Sequence, residues 1–288
     1  MRIIRTIDGI RTAVTEARAA RRSVGLVPTM GAFHDGHLSL MRAARADNDL
    51  VVVSLFVNPT QFGPSEDLAA YPRDEARDAA LAEQQGVDIL FAPEPAEIYP
   101  DGFATSIHVS GITEVLDGAS RGAFHFDGVA TVVAKLFGIV APDIAYFGQK
   151  DAQQVMVVRQ VVRDLNLPVR IEACPIVREP DGLAMSSRNV YLDADARQQA
   201  TALNRALDAA SDLHVAGERD AATILEAARR VLLHAGIRPD YLELRSNDDL
   251  TPLEHVDRDA LLAVAARVGA ARLIDNHILT TRDERGTR

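Results

Sequence analysis

Five short runs rich in valine, isoleucine and leucine, separated by stretches of helical periodicity, limit what this chain can fold into. They are VGLVP (24–28), LVVVSLFV (50–57), VDILFA (87–92), DIAYFG (143–148) and a segment near 169–174. Between them the apolar spacing predicts helices over about 36–48, 73–85, 129–140 and 151–165. A strand that is apolar at nearly every position, rather than at alternate ones, needs cover on both faces. Helices between such strands supply it, so the pattern predicts a parallel, doubly wound α/β sheet. Ligands of such sheets bind beyond the carboxyl ends of the strands. Three polar segments sit there: PTMGAFHDGH after the first run, NPTQFGP after the second and GQKDAQQ after DIAYFG.

The texture changes after REPDG (178–182). Alanine-rich amphipathic helices are expected over about 195–214 and 220–235, followed by β-type runs at 241–245, 260–268 and 271–279. Helices followed by strands read as a small α+β unit. The chain of 288 residues is long for a single core. The organisation expected is therefore a larger domain over 1–180 and a smaller one over 181–288. The closing TTRDERGTR is expected to fray.

Composition narrows the function classes. A hydrophobic fraction of 47% can offset the entropy of ordering, which disfavours disorder. No apolar run approaches the length of about 18 residues that a spanning helix needs. The opening MRIIRTIDGIRTAV is broken by charges and does not read as a signal peptide. One cysteine, Cys174, allows neither an intrachain disulfide nor a cysteine-rich zinc module. A cytoplasmic protein is the expectation. With 31 basic against 41 acidic residues, a net charge of −10, the surface is a poor match for nucleic acid or anionic lipid. Only Lys135 and Lys150 are lysines, the other basic residues being arginine, a skew most simply explained by genome composition. A lysine is nevertheless a compact point charge that arginine does not replace at a phosphate. Lys150, just past a strand, stands out for that reason; nothing in the sequence accounts for Lys135.

Two familiar nucleotide signatures are absent. No G-x-G occurs, and the stretch nearest to a Walker A loop, Gly128 to Lys135, lacks the second glycine and the Ser/Thr. The strongest constellation is Pro28 to His37. His34 and His37, three apart at a helix entry, project to one side. A helix N-terminus offers free amides and partial positive charge to a phosphate. Gly31 and Gly36 would let backbone approach an anion, and two imidazoles could donate to oxygens that gain charge during attack at phosphorus. The plainer alternative is that His34 caps the helix and His37 packs. A metal pair is a third, without an evident third ligand. Asn58 and Gln61 in NPTQF, Lys150 and Gln154 in GQKDAQQ, and Ser186, Ser187 and Arg188 in MSSR could each bind substrate or simply complete a turn.

VPTMGAFHDGH, VSLFVNPTQFGPSEDL, GVATVVAKLFGIVAPDIAYFGQKDAQQ and DGLAMSSRN together resemble the pantothenate synthetase (pantoate–β-alanine ligase) family over roughly 24–190. HDGH and MSSR also resemble the two signatures of the wider nucleotidylyltransferase superfamily. The resemblance implies a Rossmann-like N-terminal domain that binds ATP and pantoate, a smaller C-terminal α+β lid, and a homodimer formed through the large domain. It implies condensation of pantoate with β-alanine at the expense of ATP, through an enzyme-bound pantoyl adenylate, with release of AMP and pyrophosphate. Magnesium is expected with the ATP phosphates, and no protein ligand for it can be named. The ATP site carried over is Met30, Gly31, Ala32, Phe33, His34, Asp35, Gly36, His37, Gly148, Gln149, Lys150, Asp151, Val177, Met185, Ser186, Ser187 and Arg188. Gln61 and Gln154 would hold pantoate, with Asn58 and Met30 lining its pocket and Gln61 serving β-alanine as well. His34, His37 and Lys150 would be catalytic, the histidines mainly as stabilisers of charge at the α-phosphate and pyrophosphate.

Two departures stand against the pattern. The family's Arg-Pro-Gly-His-Phe loop is replaced by Arg121-Gly122-Ala123-Phe124-His125-Phe126, one residue longer and without the proline, and neither Arg121 nor His125 is assigned a role. Gln149 stands where the family often has Glu. Two rival functions stay open at this point: an adenylyltransferase acting on a phosphate acceptor, and a nucleotide sensor without turnover. A phosphate acceptor would favour Arg or Lys where Gln61 and Gln154 stand.

Overall fold

The computed structural model describes residues 1–63 and 68–281. Pro64 of NPTQFGP and residues 282–288 of the tail expected to fray lie outside them. The chain divides into two compact units, Met1–Val177 and Arg178–Arg288.

The first unit runs β1 (Arg2–Ile4), α1 (Ile7–Ala19), β2 (Val24–Thr29), α2 (Asp35–Asp47), β3 (Leu50–Leu55), α3 (Glu75–Gln84), β4 (Ile89–Phe91), α4 (Pro95–Ile98), α5 (Leu116–Arg121), α6 (Ala123–Val140), β5 (Ile144–Gly148), α7 (Ala152–Asp164) and β6 (Arg170–Cys174). The strands form one sheet in the order β1-β4-β3-β2-β5-β6, and every pairing is parallel. Side chains alternate across each strand. Leu26, Val52 and Phe91 therefore pack with α1, α6 and α7, while Val27, Val53 and Leu90 pack with α2 and α3. This is the doubly wound, Rossmann-like sheet expected from the apolar runs.

Some boundaries differ, for identifiable reasons. α6 begins at Ala123, six residues before the expected start, and takes in Phe124 to Phe126, which the resemblance had placed in a loop. Gly122, at φ +98°, reverses the chain and lets the helix start at once. The short β1 and α5 span too little chain to stand out, and α1 was not among the expected elements although Ile10, Ala13, Val14 and Ala17 recur there at helical spacing. α1 is nonetheless set by the cap Thr6, whose hydroxyl accepts from the Gly9 N–H at 3.2 Å.

The second unit contains α8 (Ala194–Ala200), α9 (Ala202–Val215), α10 (Ala221–His234) and an antiparallel sheet β7 (Pro239–Ser246), β8 (Ala260–Val268), β9 (Ala271–Leu279). Leu203, Leu207, Ile224 and Leu232 of the helices pack on Leu262 and Val264 of β8. The single helix expected over 195–214 is two, parted at Thr201, whose hydroxyl donates to the Gln198 carbonyl at 2.8 Å and competes with the helical ladder. Arg178 grips the buried Asp275 of β9 through two nitrogens, at 2.6 and 2.9 Å.

Candidate active site

β2 and β5 are neighbours, pairing at Gly25–Ile144 and Leu26–Ala145. β3, β4 and β1 continue the sheet on one side and β6 on the other, so the strand order reverses here. Such a reversal opens a crevice beyond the carboxyl ends of the two strands. The histidine loop leaves β2, and a 3-10 turn, Gln149–Asp151, leaves β5. The charges of Lys150 and Asp151 both act on His37, so the two segments are close.

The loop after β2 is shaped by an internal carboxylate. Gly31 and Ala32 both adopt positive φ, +88° and +54°. The Ala32 and Phe33 N–H groups donate to the two oxygens of Asp78 on α3, each at 2.8 Å. These two amides, which belong to residues that the family resemblance implies for the ATP site, are thus taken by Asp78. Glycine suits the turn at position 31 because φ +88° strains any residue with a Cβ, and a Cβ there would also crowd Leu55 Cδ1 at 2.6 Å and Asp78 Oδ2 at 3.0 Å. Burial is the main cause that raises the Asp78 carboxyl above its ordinary value, against the lowering effect of the two amides.

His34 is the N-cap of α2, its Nδ1 accepting from the Gly36 N–H at 3.2 Å. His37 packs between Phe33 and His34, with ring centroids 5.6 and 4.2 Å away. Capping and packing, the plainer alternative, are what the two rings do locally. The site-like features come on top of that. Burial, then the neighbouring His34, push His37 down to about 3, so the imidazole is neutral across the physiological range. Its ring is partly accessible, yet its Nδ1 is sealed from solvent and has no hydrogen-bond partner. A buried, unpartnered nitrogen is costly unless a ligand supplies its hydrogen-bond partner. Among the described residues no three His, Cys, Asp or Glu side chains gather around a common point as a metal site.

The second constellation forms a hydrogen-bonded network after β3. Asn58 caps the 3-10 turn Pro59–Gln61 and is 1% exposed. Its Nδ2 donates to Gln61 Oε1 and to the Gly128 carbonyl, both at 3.1 Å, while its Oδ1 accepts from Tyr99 at 2.8 Å and Thr60 at 2.9 Å. With Oε1 engaged, the Gln61 NH2 is turned the other way and donates to Met30 Sδ at 3.1 Å. Met30, Asn58 and Gln61, which the resemblance grouped around one pocket, are thus joined by hydrogen bonds.

Lys150 pairs with Asp151 at 3.3 Å and keeps about a fifth of its side chain accessible. Gln154 is half-buried in the first turn of α7, and among the described residues no hydrogen bond joins it to Gln61. Val177 closes the first unit, and Met185 to Arg188 belong to the second, where Ser186 caps a 3-10 turn by accepting from the Arg188 N–H at 3.3 Å. Lys135 now has an account: its ammonium lies 4.5 Å from the Phe103 ring centre and 5.9 Å from that of Tyr99.

Three contributors escaped the sequence. Asp78 and Ala82 share the buried face of α3, so an acid on an apolar face was the available signal. Gly128 lies against the turn, where a Cβ would come within 2.6 Å of the Thr60 backbone and 2.7 Å of Gln61 N. A glycine inside an apolar helical pattern marks such close approach. Tyr99 had no local signal, since its partner Asn58 is 41 positions away.

A family model described as pantoate-beta-alanine ligase matches residues 2–278. The chain is 56% identical over 281 residues to the pantothenate synthetase of Roseiflexus sp. (strain RS-1), covering 97% of this chain and 99% of that one. The crystal structure of pantothenate synthetase from Thermus thermophilus superposes with a TM-score of 0.93 at 48% identity, over 98% of this chain and 100% of that one. The pantoate-beta-alanine ligase of Francisella tularensis, crystallised with beta-gamma ATP and beta-alanine, superposes with a TM-score of 0.80 at 34% identity, over 96% and 97%.

Proposed function

The chain belongs to the pantoate–β-alanine ligase family, and from that premise we propose that it condenses pantoate with β-alanine by way of a pantoyl adenylate formed from ATP. A pantoate carboxylate oxygen attacks the α-phosphorus and pyrophosphate leaves; the β-alanine amine then attacks the acyl carbon and AMP leaves. The observation that carries this reading is the locked amide of Gln61. Asn58 holds its oxygen, so the NH2 is presented as a neutral donor beside Met30 at the histidine loop.

A neutral donor orients a carboxylate without quenching the charge that makes it nucleophilic, as a tight arginine clamp would. Gln61 and Gln154 hold pantoate in this reading, Asn58 and Met30 line its pocket, and β-alanine reaches the adenylate beside Gln61. His34, His37 and Lys150 act on the phosphates. The neutral His37, with an unpartnered nitrogen, donates its ring N–H where charge develops on oxygen. Gly148, Gln149 and Asp151 complete the ATP side of the crevice. The contributions of Val177 and Met185 to Arg188, the lid role of the second unit and the homodimer rest on family resemblance alone.

No cluster of carboxylates or imidazoles fits a magnesium ion held by protein among the described residues. Mg2+ is expected to enter on the phosphate oxygens of ATP, and no step here runs through it. Among the described residues no helix is long and apolar enough to cross a membrane.

The test is pantoate labelled with ¹⁸O in its carboxylate. An adenylate route transfers one labelled oxygen to AMP, whereas ADP as product, or unlabelled AMP, removes the reading. Transfer of AMP onto a phosphate acceptor would give no pantothenate at all.

A further inference from the structure

We propose that His125 is a positioning residue for Gln61, held by Arg121 as the neutral Nδ1–H tautomer. The proposal rests on the reading of Gln61 as a pantoate-binding residue. His125 is 7% exposed and lies in the first turns of α6. Its Nε2 is 2.9 Å from Arg121 Nη1, and its Nδ1 is 2.9 Å from the Gln61 carbonyl oxygen.

The direction of these hydrogen bonds follows from the groups involved. A guanidinium has only donors, so the Arg121 contact requires a lone pair on Nε2. The carbonyl of Gln61 can only accept, so the other contact requires a proton on Nδ1. Both hold together in one state alone, the neutral imidazole protonated at Nδ1, which is the tautomer less favoured in free histidine. Arg121 therefore selects the form of His125 that can grip Gln61.

The grip matters because of where Gln61 is otherwise held. Asn58 fixes the side-chain oxygen, and the bare Cα of Gly128 lets α6 lie against the Gln61 backbone. His125 fixes the remaining backbone acceptor from the same helix. Without its donor the buried carbonyl loses a partner, and the 3-10 turn can shift to find another. A small displacement of the turn moves the NH2 that faces the substrate. Arg121 and His125 thus gain a role in the segment where this chain departs from the family pattern.

Two measurements decide the matter. Long-range ¹H–¹⁵N spectra of the full chain should show His125 as the Nδ1–H tautomer, and Arg121→Met should shift it toward Nε2–H. In kinetics, His125→Asn keeps an amide donor near the position of Nδ1, whereas His125→Gln places its amide at the position of Nε2. We expect His125→Gln to raise the pantoate KM about tenfold with the ATP KM unchanged, and His125→Asn to restore most of it. Arg121→Met should raise the pantoate KM in the native background but not in the His125→Asn background, where there is no tautomer to select. Circular dichroism and thermal melts of each variant check that the fold is kept. An Nε2–H tautomer in the native protein, equal behaviour of the Asn and Gln variants, or a shift confined to ATP overturns the proposal. A Gln61→Ala variant separates the two levels. An unchanged pantoate KM there removes the reading of Gln61 and the proposal with it, while a raised one leaves the His125 results to decide the proposal alone.

Discussion

Asp78 accepts the backbone N–H of Phe33 at 2.8 Å across 45 positions of sequence, and its second oxygen takes that of Ala32 at the same distance. The carboxylate thereby holds a loop that carries two consecutive positive φ values and leads directly into His34. Because it is 1% exposed, water cannot take its place. Asp78→Asn keeps one acceptor and turns an NH2 toward an N–H. The expected cost is about 1–3 kcal/mol of stability, together with a fall in kcat as the histidines lose their placement. Urea unfolding and steady-state kinetics on the same preparation check both halves. A stable variant with native kcat would show that the loop needs no internal acceptor.

His37 should not titrate in the physiological range. Its folded value, about 3, lies below the ordinary 6.5, with burial as the first cause. The unfolded chain therefore takes up a proton first as pH falls, and stability is lost from about 6.5 downward until about 3. Between pH 7 and pH 5 that amounts to ~2 kcal/mol. A His37→Gln variant should lack this part of the pH dependence in urea titrations at the two pH values. The same variant should lose a factor on the order of 10² to 10³ in kcat, as other preorganised donors do. An ordinary His37 titration near 6.5 by NMR would show that the ring is solvated.

Gly128→Ala should separate binding from folding. The added methyl would lie 2.6 Å from the backbone of Thr60 and 2.7 Å from Gln61 N, so the turn must move away from α6. Overpacking of this kind costs about 1–3 kcal/mol. The sharper expectation is a raised pantoate KM with the ATP KM unaltered, since the displaced segment carries Gln61 and Asn58. A crystal structure of the variant should show the Pro59–Gln61 turn shifted. An unshifted turn with a raised KM would assign the effect elsewhere.

Lys150→Ala should abolish most adenylation and leave stability unchanged. The lysine sits in a strand-end turn, and its pairing with the adjacent, half-exposed Asp151 contributes little to folding. Pyrophosphate release measured with pantoate and ATP alone isolates the first half-reaction. Near-native kcat at saturating ATP would remove Lys150 from the chemistry, whereas Lys150→Arg retaining only part of the rate would fit a point charge that a planar fork replaces poorly.

The sheet and its order of helices were readable because continuous valine and isoleucine runs such as LVVVSLFV at 50–57 have one stable use, a strand covered on both faces. The histidine pair was readable for a related reason. A spacing of three at a helix entry sets two side chains on one face whatever lies around them, and the rings do lie 4.2 Å apart. β1 and α5 were not readable, since a three-residue edge strand and a six-residue helix span too little chain to show a period. In α1, by contrast, Ile10, Ala13, Val14 and Ala17 recur at helical spacing and were an available signal for it.

What the chain determined by itself is therefore local: the periodicity of its elements, the strand ends at which polar residues collect, and motifs contiguous enough to identify the family. What only the tertiary structure decided is how distant groups satisfy one another. Asp78 takes two amides of the histidine loop, Gly128 admits the turn that carries Gln61, and Arg121 sets the proton on His125. The physical reason is that a buried hydrogen-bonding group must find its partner wherever the fold supplies one, and sequence separation puts no limit on where that is.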